Sequence, residues 1–178
     1  MIKILGLGNV LMGDDGFGPA VVRAFDAMYE TGPDVEVIDL GTPGLDLTPW
    51  LADVDRVVIV DTVKSDLPPG SMRFYDMRDL LRHVPSLRVG PHDPGLGETL
   101  RRLEFAGRAP RAIALIGVVP ERVGMGIELT PTVRAAIPCA VDVIAAALRQ
   151  FGTAAVRRDV PKPPRPWWTT SATPSDRF

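Results

Sequence analysis

Residues 2–18 read IKILGLGNVLMGDDGFG, and this stretch decides the fold. Its first part, residues 2–8, is an apolar run typical of a buried strand. The run breaks into a glycine-rich turn that carries two adjacent carboxylates, Asp14 and Asp15. From Gly18 to about residue 32, apolar residues recur at helical spacing. The stretch therefore predicts a strand, an acidic turn and a helix in succession.

The same alternation of strand and helix patterns continues along the chain. Further strands are predicted at residues 35–40, 56–61 and 113–119, with an edge strand at 72–75. Helices are predicted at residues 45–52 and 94–106, followed by one that Thr130 caps and Pro138 kinks. This alternation predicts a single α/β domain with a twisted, mostly parallel five-stranded sheet and helices on both faces. We expect flavodoxin-like order, with the second strand beside the first and the first beside the third.

The pattern changes near residue 152. Residues 1–151 are predicted to form the α/β domain, and residues 152–178 a Pro-rich, basic C-terminal tail that is extended or disordered. The pair Trp167 and Trp168 suits a docking strip for a protein partner. A loosely packed extension explains the same residues, and we favour that alternative.

Composition narrows the classes of function. A chain of 178 residues with 46% apolar residues is large enough for one domain with its own core. Its net charge of -2 argues against a nucleic-acid partner. No apolar run approaches the roughly 20 residues of a membrane span. The lone Cys139 fits a reducing compartment, and the N-terminus shows no secretion signal, so we expect a cytoplasmic protein.

Carboxylates follow each of the first three predicted strands. Asp14 and Asp15 follow the first, Asp39 ends the second and Asp61 ends the third. The carboxyl ends of parallel strands meet at one edge of the sheet, where ligand sites form. Each acid alone could cap a helix or close a turn. Asp61 is the hardest to explain in that way, because a charge at the end of an apolar strand needs a partner.

Two of these acids and a histidine form a candidate metal site. In the expected strand order, Asp15 and Asp61 come from neighbouring strands. His92 lies in a Pro/Gly-rich turn from which its imidazole could reach the same ion, whereas His83 is expected on the surface. A ligand set of nitrogen and oxygen suits nickel, zinc, iron or manganese, and the spacing does not choose among them.

Several separated blocks of this sequence resemble the [NiFe]-hydrogenase maturation endopeptidases. The resemblance covers about residues 1–150 and leaves out the tail. The blocks occur in the family's order, which makes them more specific than a single glycine loop. They are Gly6-x-Gly8-Asn9-x-Leu11-x-x-Asp14-Asp15-Gly16-x-Gly18, Asp39-Leu40-Gly41-Thr42, Asp61 after an apolar strand, His92 before Gly95-Leu96, and Gly117-Val118-Val119-Pro120-Glu121.

The resemblance implies a function and a set of roles. Members of that family remove a C-terminal extension from the hydrogenase large-subunit precursor after nickel insertion, so the expected partner is that precursor. By resemblance, Asp15, Asp61 and His92 bind metal, which is the nickel of the precursor, and other divalent metals can substitute. Many relatives carry Glu where this chain has Asp15.

Roles for the remaining acids also follow from the resemblance. We expect Asp61 and Asp39 to orient or activate a water against the scissile carbonyl, and Asp14, Gly41 and Thr42 to lie in loops that face the substrate. Cys139 has no histidine near it in the sequence and is disfavoured as a nucleophile.

Three other functions compete with this interpretation. A dinucleotide-binding module needs a third glycine where this chain has Leu11, and carboxylates in the turn would repel a pyrophosphate. The opening Gly6-Leu7-Gly8-Asn9 also resembles peptidyl-tRNA hydrolases, but those enzymes place a catalytic histidine soon after it, and here no histidine precedes His83. A nickel-binding accessory protein without turnover would use the same site and stays open.

Overall fold

Helices and strands alternate along the chain in the computed structural model, which describes residues 1–43, 47–82 and 96–163. Within these residues, five strands form a central sheet and two short strands form a separate pair. The strands are β1 (Ile2–Leu7), β2 (Tyr29–Thr31), β3 (Val35–Gly41), β4 (Arg56–Thr62), β5 (Met72–Asp76), β6 (Ala112–Val118) and β7 (Ala155–Arg157). The helices are α1 (Phe17–Met28), α2 (Thr48–Leu51), α3 (Met77–Arg82), α4 (Leu96–Phe105), α5 (Pro131–Arg134) and α6 (Ile137–Gln150), and a 3-10 turn (Asp14–Gly16) precedes α1.

The central sheet has the order β3-β1-β4-β6-β5. β3, β1, β4 and β6 are parallel, which confirms the mostly parallel five-stranded sheet and the second-first-third order of its first three strands. The last two strands depart from the flavodoxin order, because β5 is antiparallel and lies at the edge, outside β6. Only residues 63–71 join β4 to β5, and so short a connection cannot carry the helical crossover that a parallel strand needs.

β4 lies in the middle of the sheet and is apolar on both faces. Val58 and Val60 belong to one core cluster, packed with α1 and α6. Val57 and Ile59 belong to the other, packed with α2 and α4. All four side chains are fully buried. The continuous apolar run therefore has the cause expected from the sequence, which is a strand covered by helices on both faces.

Helix α1 begins in very close contact with the ends of β1 and β4. A Cβ added at Gly18 would lie 2.1 Å from the carbonyl oxygen of Leu7 and 2.4 Å from that of Val60. Only glycine permits this approach of backbone to backbone. The contact holds the start of α1, and the acidic turn before it, against the carboxyl ends of the two central strands.

The last helical region is two helices rather than one kinked helix. The predicted cap is present, since Thr130 Oγ1 accepts a hydrogen bond from the Val133 N–H at 3.4 Å. The helix then stops at Arg134 and restarts at Ile137, so that Pro138 lies in the first turn of α6. The kink predicted at Pro138 is thus a full break before α6, because a proline ring clashes with the carbonyl four residues earlier.

By length and composition alone, Pro131–Gln150 could cross a membrane, with a mean hydropathy of 1.5. Its apolar residues have another use, because Ala140, Val141, Ile144 and Leu148 are buried in the core cluster that includes α1. The region is also interrupted, and α6 itself has 14 residues, short of the roughly 20 that a span requires. It is therefore a core helix of this domain.

The predicted tail begins as an extended segment attached to the end of α1. β7 pairs antiparallel with β2, a short pairing that the sequence pattern did not predict. Beyond it, the Arg158 N–H donates to the Met28 carbonyl at 2.8 Å and the Lys162 N–H donates to the Ala27 carbonyl at 2.9 Å. Trp167 and Trp168, the predicted docking strip, lie outside the described residues.

The contact at Gly18 predicts that this position does not tolerate even alanine. We expect Gly18→Ala to lower the free energy of unfolding by about 2 kcal/mol or more, because the added methyl overlaps two backbone carbonyls. Urea unfolding followed by circular dichroism measures the change. Gly124→Ala is the matched control, since a Cβ there meets nothing within 4 Å. Equal stability of the two variants would contradict the close packing.

Candidate functional site

Two buried carboxylates lie at the carboxyl ends of β1 and β4. Asp15 is in the 3-10 turn that follows the β1 loop, and Asp61 is the second-last residue of β4. Their residues are 8% and 3% exposed. Both positions follow from the parallel strands, which deliver the segments after them to the same edge of the sheet.

Thr62 links the two carboxylates. Its hydroxyl donates to Asp15 Oδ1 at 3.1 Å, and its backbone N–H donates to Asp61 Oδ1 at 2.7 Å. Asp15 and Asp61, which are 46 positions apart in the sequence, are therefore held beside one residue. Sequence reasoning missed Thr62, although a threonine directly after a strand-ending aspartate was a usable signal.

The glycine-rich loop fixes the other side of Asp15. The Asn9 N–H donates to Asp15 Oδ2 at 3.0 Å. Gly8 has a φ of 129°, and a Cβ there would lie 1.9 Å from the Asp15 carbonyl oxygen. A side chain at position 8 would thus be strained by both conformation and space. The loop holds one oxygen of Asp15 while Thr62 holds the other.

The electrostatics of the pair favour a cation. The pKa of Asp61 is raised from 3.8 to about 8, mainly by burial and in smaller part by the negative charge of Asp15, against the lowering effect of the Thr62 N–H. Within the described residues, every ion pair involves another acid, namely Glu30, Asp39, Asp53, Asp55 or Glu98. Two buried carboxylates without a basic partner there fit a divalent metal ion, which would offset both burial and repulsion.

The third predicted ligand cannot be placed. His92 lies outside the described residues, as does His83. In the part of the chain that the structure describes, no three His, Cys, Asp or Glu side chains form a metal-binding group. The structure therefore brings together two of the three predicted ligands, and the role of His92 stays a prediction.

Asp14 faces away from this pair and holds another segment of the protein. It is fully buried. Its Oδ2 accepts from the N–H groups of Glu121 and Arg122 at 2.9 and 2.8 Å and from the Thr130 hydroxyl at 3.1 Å, and its Oδ1 accepts from the Thr130 N–H at 2.7 Å. A carboxylate so fully bonded inside the protein is an anchor for residues 121–130 rather than a group that faces a substrate.

Asp39 is not brought to Asp61. Asp39 alternates with Val37 and pairs with Arg23 of α1, at 2.9 Å between Nη2 and Oδ2. Asp61 alternates with Ile59, which faces the opposite side of the sheet. β1 also lies between them, since Gly6 is in register with Asp39 on one side and Val60 on the other. The predicted pairing of these two acids around one water finds no support in this geometry.

Gly41 and Thr42 lie at the rim beside the glycine-rich loop. The Gly41 carbonyl accepts from the Gly8 N–H at 2.9 Å, and Gly41 has a φ of 59°. Thr42 is exposed. The end of β3 is thus attached to the loop that holds Asp15, and the substrate-facing role of these two residues stays a prediction.

The anchor role of Asp14 predicts a large loss of stability when its acceptors are removed. Asp14→Asn replaces one carboxylate oxygen by an amide that cannot accept, so buried N–H groups lose their partner. We expect the free energy of unfolding to fall by about 2–4 kcal/mol. Chemical denaturation checks this, with Asp142→Asn on the exposed side of α6 as the control. A loss no larger than that of the control would contradict the anchor role.

The raised pKa of Asp61 predicts a pH-dependent gain of stability in Asp61→Asn. In the metal-free protein, the folded state keeps the Asp61 proton up to about pH 8, whereas the unfolded chain loses it near pH 3.8. Stability therefore falls as pH rises through this window, by at most about 1.4 kcal/mol per pH unit. Asparagine removes this titration, so the variant should exceed the wild type increasingly from about pH 5 to pH 8.

Urea unfolding across that pH range measures this difference, with Asp142→Asn as the exposed-carboxylate control. A difference between Asp61→Asn and the wild type that stays constant with pH would show that Asp61 is not protonated in the folded protein.

Sequence comparisons connect this fold and site to known proteins. A model of the hydrogenase maturation protease family (HycI) matches residues 19–147. The hydrogenase 2 maturation protease of Escherichia coli strain K12 is 38% identical over 162 residues, covering 89% of this chain and 96% of the relative. The hydrogenase expression/formation protein HupD of Rhizobium leguminosarum bv. viciae is 34% identical, covering 88% of this chain and 78% of the relative.

Solved structures agree with the sequences. The hydrogenase maturating endopeptidase HybD from E. coli has a TM-score of 0.79 and 35% identity, over 88% of this chain and 97% of that one. The [NiFe] hydrogenase maturation protease HycI from Thermococcus kodakarensis has a TM-score of 0.65 and 26% identity, over 83% and 92%. Neither a dinucleotide-binding module nor a peptidyl-tRNA hydrolase is supported by these matches. This chain belongs to the hydrogenase maturation protease family and is a protease.

Proposed function

We propose that this protease removes the C-terminal extension of a nickel-loaded [NiFe]-hydrogenase large-subunit precursor. The observation that carries the proposal is the pair of buried carboxylates, Asp15 and Asp61, beside Thr62 in a chain of this family. Such a pair of carboxylates can bind a positive charge that the substrate carries. The single cysteine, Cys139, is consistent with work in the cytoplasm, where we place the reaction.

The nickel ion belongs to the substrate in this proposal. Asp15 and Asp61 supply oxygen ligands, and we assign the nitrogen ligand to His92 from the sequence. Carboxylate and imidazole groups also suit other divalent metals, so zinc, iron or manganese can substitute in binding tests. The metal's contribution to the chemistry is Lewis acidity near the scissile carbonyl.

Asp61 is the group that we assign to the reacting water. It is buried, and its pKa lies far above that of an ordinary carboxyl group, so it can hold or take up a proton near neutral pH. Asp39 is paired with Arg23 on the other face of the sheet, and we therefore leave it outside the reacting atoms. Cys139 is exposed on α6, in the layer that packs on the α1 face, and takes no part.

Cleavage of the precursor tests the proposal directly. We expect Asp15→Asn, Asp61→Asn and His92→Ala each to lower the cleavage rate by about 100-fold or more, because each loses a metal ligand or the proton acceptor. Mass spectrometry of the precursor C-terminus measures the cut. Asp142→Asn removes an exposed carboxylate and should cleave like the wild type.

Two further comparisons separate the possible outcomes. Precursor prepared without nickel should stay uncut by the wild-type enzyme. Full activity in all three site variants would defeat the metal-site assignment. Nickel-dependent binding of the precursor without any cleavage would instead favour a nickel-binding accessory protein.

A further inference from the structure

Three large apolar side chains are exposed on the loops that follow β1 and β6, at the same edge of the parallel sheet as the carboxylate pair. Leu11 is 54% exposed, Met125 is 96% exposed and Ile127 is 48% exposed. We call these three residues the rim patch. Leu11 belongs to the loop that leads from β1 to Asp15, and the other two belong to the segment that Asp14 anchors. Exposed apolar residues that cluster, unlike single ones, indicate a surface that binds a partner.

Backbone hydrogen bonds join the two loops into one surface. The Gly126 N–H donates to the Leu11 carbonyl at 3.0 Å, and the Gly13 N–H donates to the Gly126 carbonyl at 2.7 Å. Met12 and Gly126 form a bridge of parallel strand type. Gly126 therefore lies against Leu11 and Met12, and its two neighbours, Met125 and Ile127, are brought beside Leu11.

The same surface is fixed in place by the buried anchor. Besides its four carboxylate bonds, Asp14 donates its own N–H to the Arg122 carbonyl at 3.1 Å. Because Asp14 precedes Asp15 directly, the rim patch cannot move far without moving the site. A surface that is already ordered loses little conformational freedom on binding.

Charged residues accompany the apolar residues of the rim patch. Glu121, Arg122 and Glu128 are exposed on the same anchored segment. An apolar centre with a polar, charged border is the usual composition of an interface between two proteins. A small polar ligand would gain nothing from three aliphatic side chains.

We propose that the rim patch docks an apolar surface of the substrate protein beside its metal ion. The inference rests on the proposed function, in which a precursor brings its metal to Asp15 and Asp61. These carboxylates are almost fully buried at the edge of the sheet from which both loops project, so a protein that approaches them at this edge meets the rim patch. The occupant is thus the precursor itself.

Steady-state cleavage by Leu11→Ser/Met125→Ser tests the docking role. We expect KM for the nickel-loaded precursor to rise about tenfold or more, with kcat at saturation unchanged, since the lost contacts act in binding and not on the scissile bond. The single variant Met125→Ser should show the same direction with a smaller change, and its 96% exposure makes a folding defect no concern.

The matched control is Phe105→Ser. Phe105 is 97% exposed at the end of α4, close to Arg108, whose carbonyl bonds to the Asp53 N–H before β4 begins. It therefore lies at the opposite edge of the sheet from the site. The same substitution there should leave KM unchanged, and an equal rise in KM would overturn the docking role.

The remaining outcomes separate this inference from the proposed function. Wild-type enzyme that cleaves the precursor, together with rim-patch variants of unchanged KM, overturns the docking role alone. Wild-type enzyme that neither binds nor cleaves the precursor overturns the proposed function. Sedimentation of the free enzyme as a dimer that the double variant converts to monomer would assign the rim patch to a second copy and overturn the inference.

Discussion

The structure of this protein depends on how the charges of two buried carboxylates that are adjacent in the sequence, Asp14 and Asp15, are compensated. Asp14 accepts four hydrogen bonds from inside the protein, so its charge is well stabilised without any basic partner. Among the described residues, Asp15 accepts two, and Asp61 beside it accepts one. The compensated carboxylate, Asp14, stabilises the structure, and the poorly compensated pair, Asp15 and Asp61, is the one that we propose binds the metal ion of the precursor. Neighbours in the sequence thus have opposite uses because they face different donors.

Close backbone packing puts these groups where they are. Gly18 lets α1 start against the carbonyls of Leu7 and Val60, and this sets the turn of Asp14 and Asp15 on the ends of β1 and β4. Gly8 makes room for the Asp15 backbone on the other side. The hydrophobic clusters on the two faces of β4 keep the strand ends in register. The fold therefore positions the site through main-chain contacts. These contacts require that positions 8 and 18 carry no side chain.

Much of this could be predicted from the sequence, and the misses have physical causes. The apolar run of β4 and the loop after β1 predicted neighbouring strands, and hence Asp15 beside Asp61. Asp39 was correctly placed at the same edge of the sheet, but its side chain faces the opposite side of the sheet from Asp61, which the prediction of one shared water did not take into account. The alternation of Val37 and Asp39 contained that information, whereas the partner Arg23 did not show in any local pattern. Asp14 was misread because most of its donors are backbone N–H groups of a segment more than 100 residues away, which leave no signature in residue types.

The further elements that were missed are short or depend on tertiary contact. The pairing of β2 with β7 involves three residues on each side, too few for a periodic pattern. Pro138 was expected to kink the last helix, and the structure interrupts the helix between Arg134 and Ile137 instead. Strand β5 was predicted as an edge strand, but its antiparallel direction was not predicted. The short connection after β4 explains that direction.

Under the proposed function, the rim patch and the carboxylate pair contribute differently to recognition of the precursor. Apolar contacts at Leu11, Met125 and Ile127 bind loaded and empty precursor alike, and an interaction of equal strength with two forms cannot discriminate between them. Discrimination has to come from a group whose free energy changes with the metal, and the incompletely compensated pair of Asp15 and Asp61 is such a group. With an empty precursor, Asp61 keeps its proton beside Asp15, whereas a loaded precursor supplies a cation that stabilises both groups as carboxylates. The poor compensation of this pair is therefore the physical basis on which the enzyme can require nickel before it cuts.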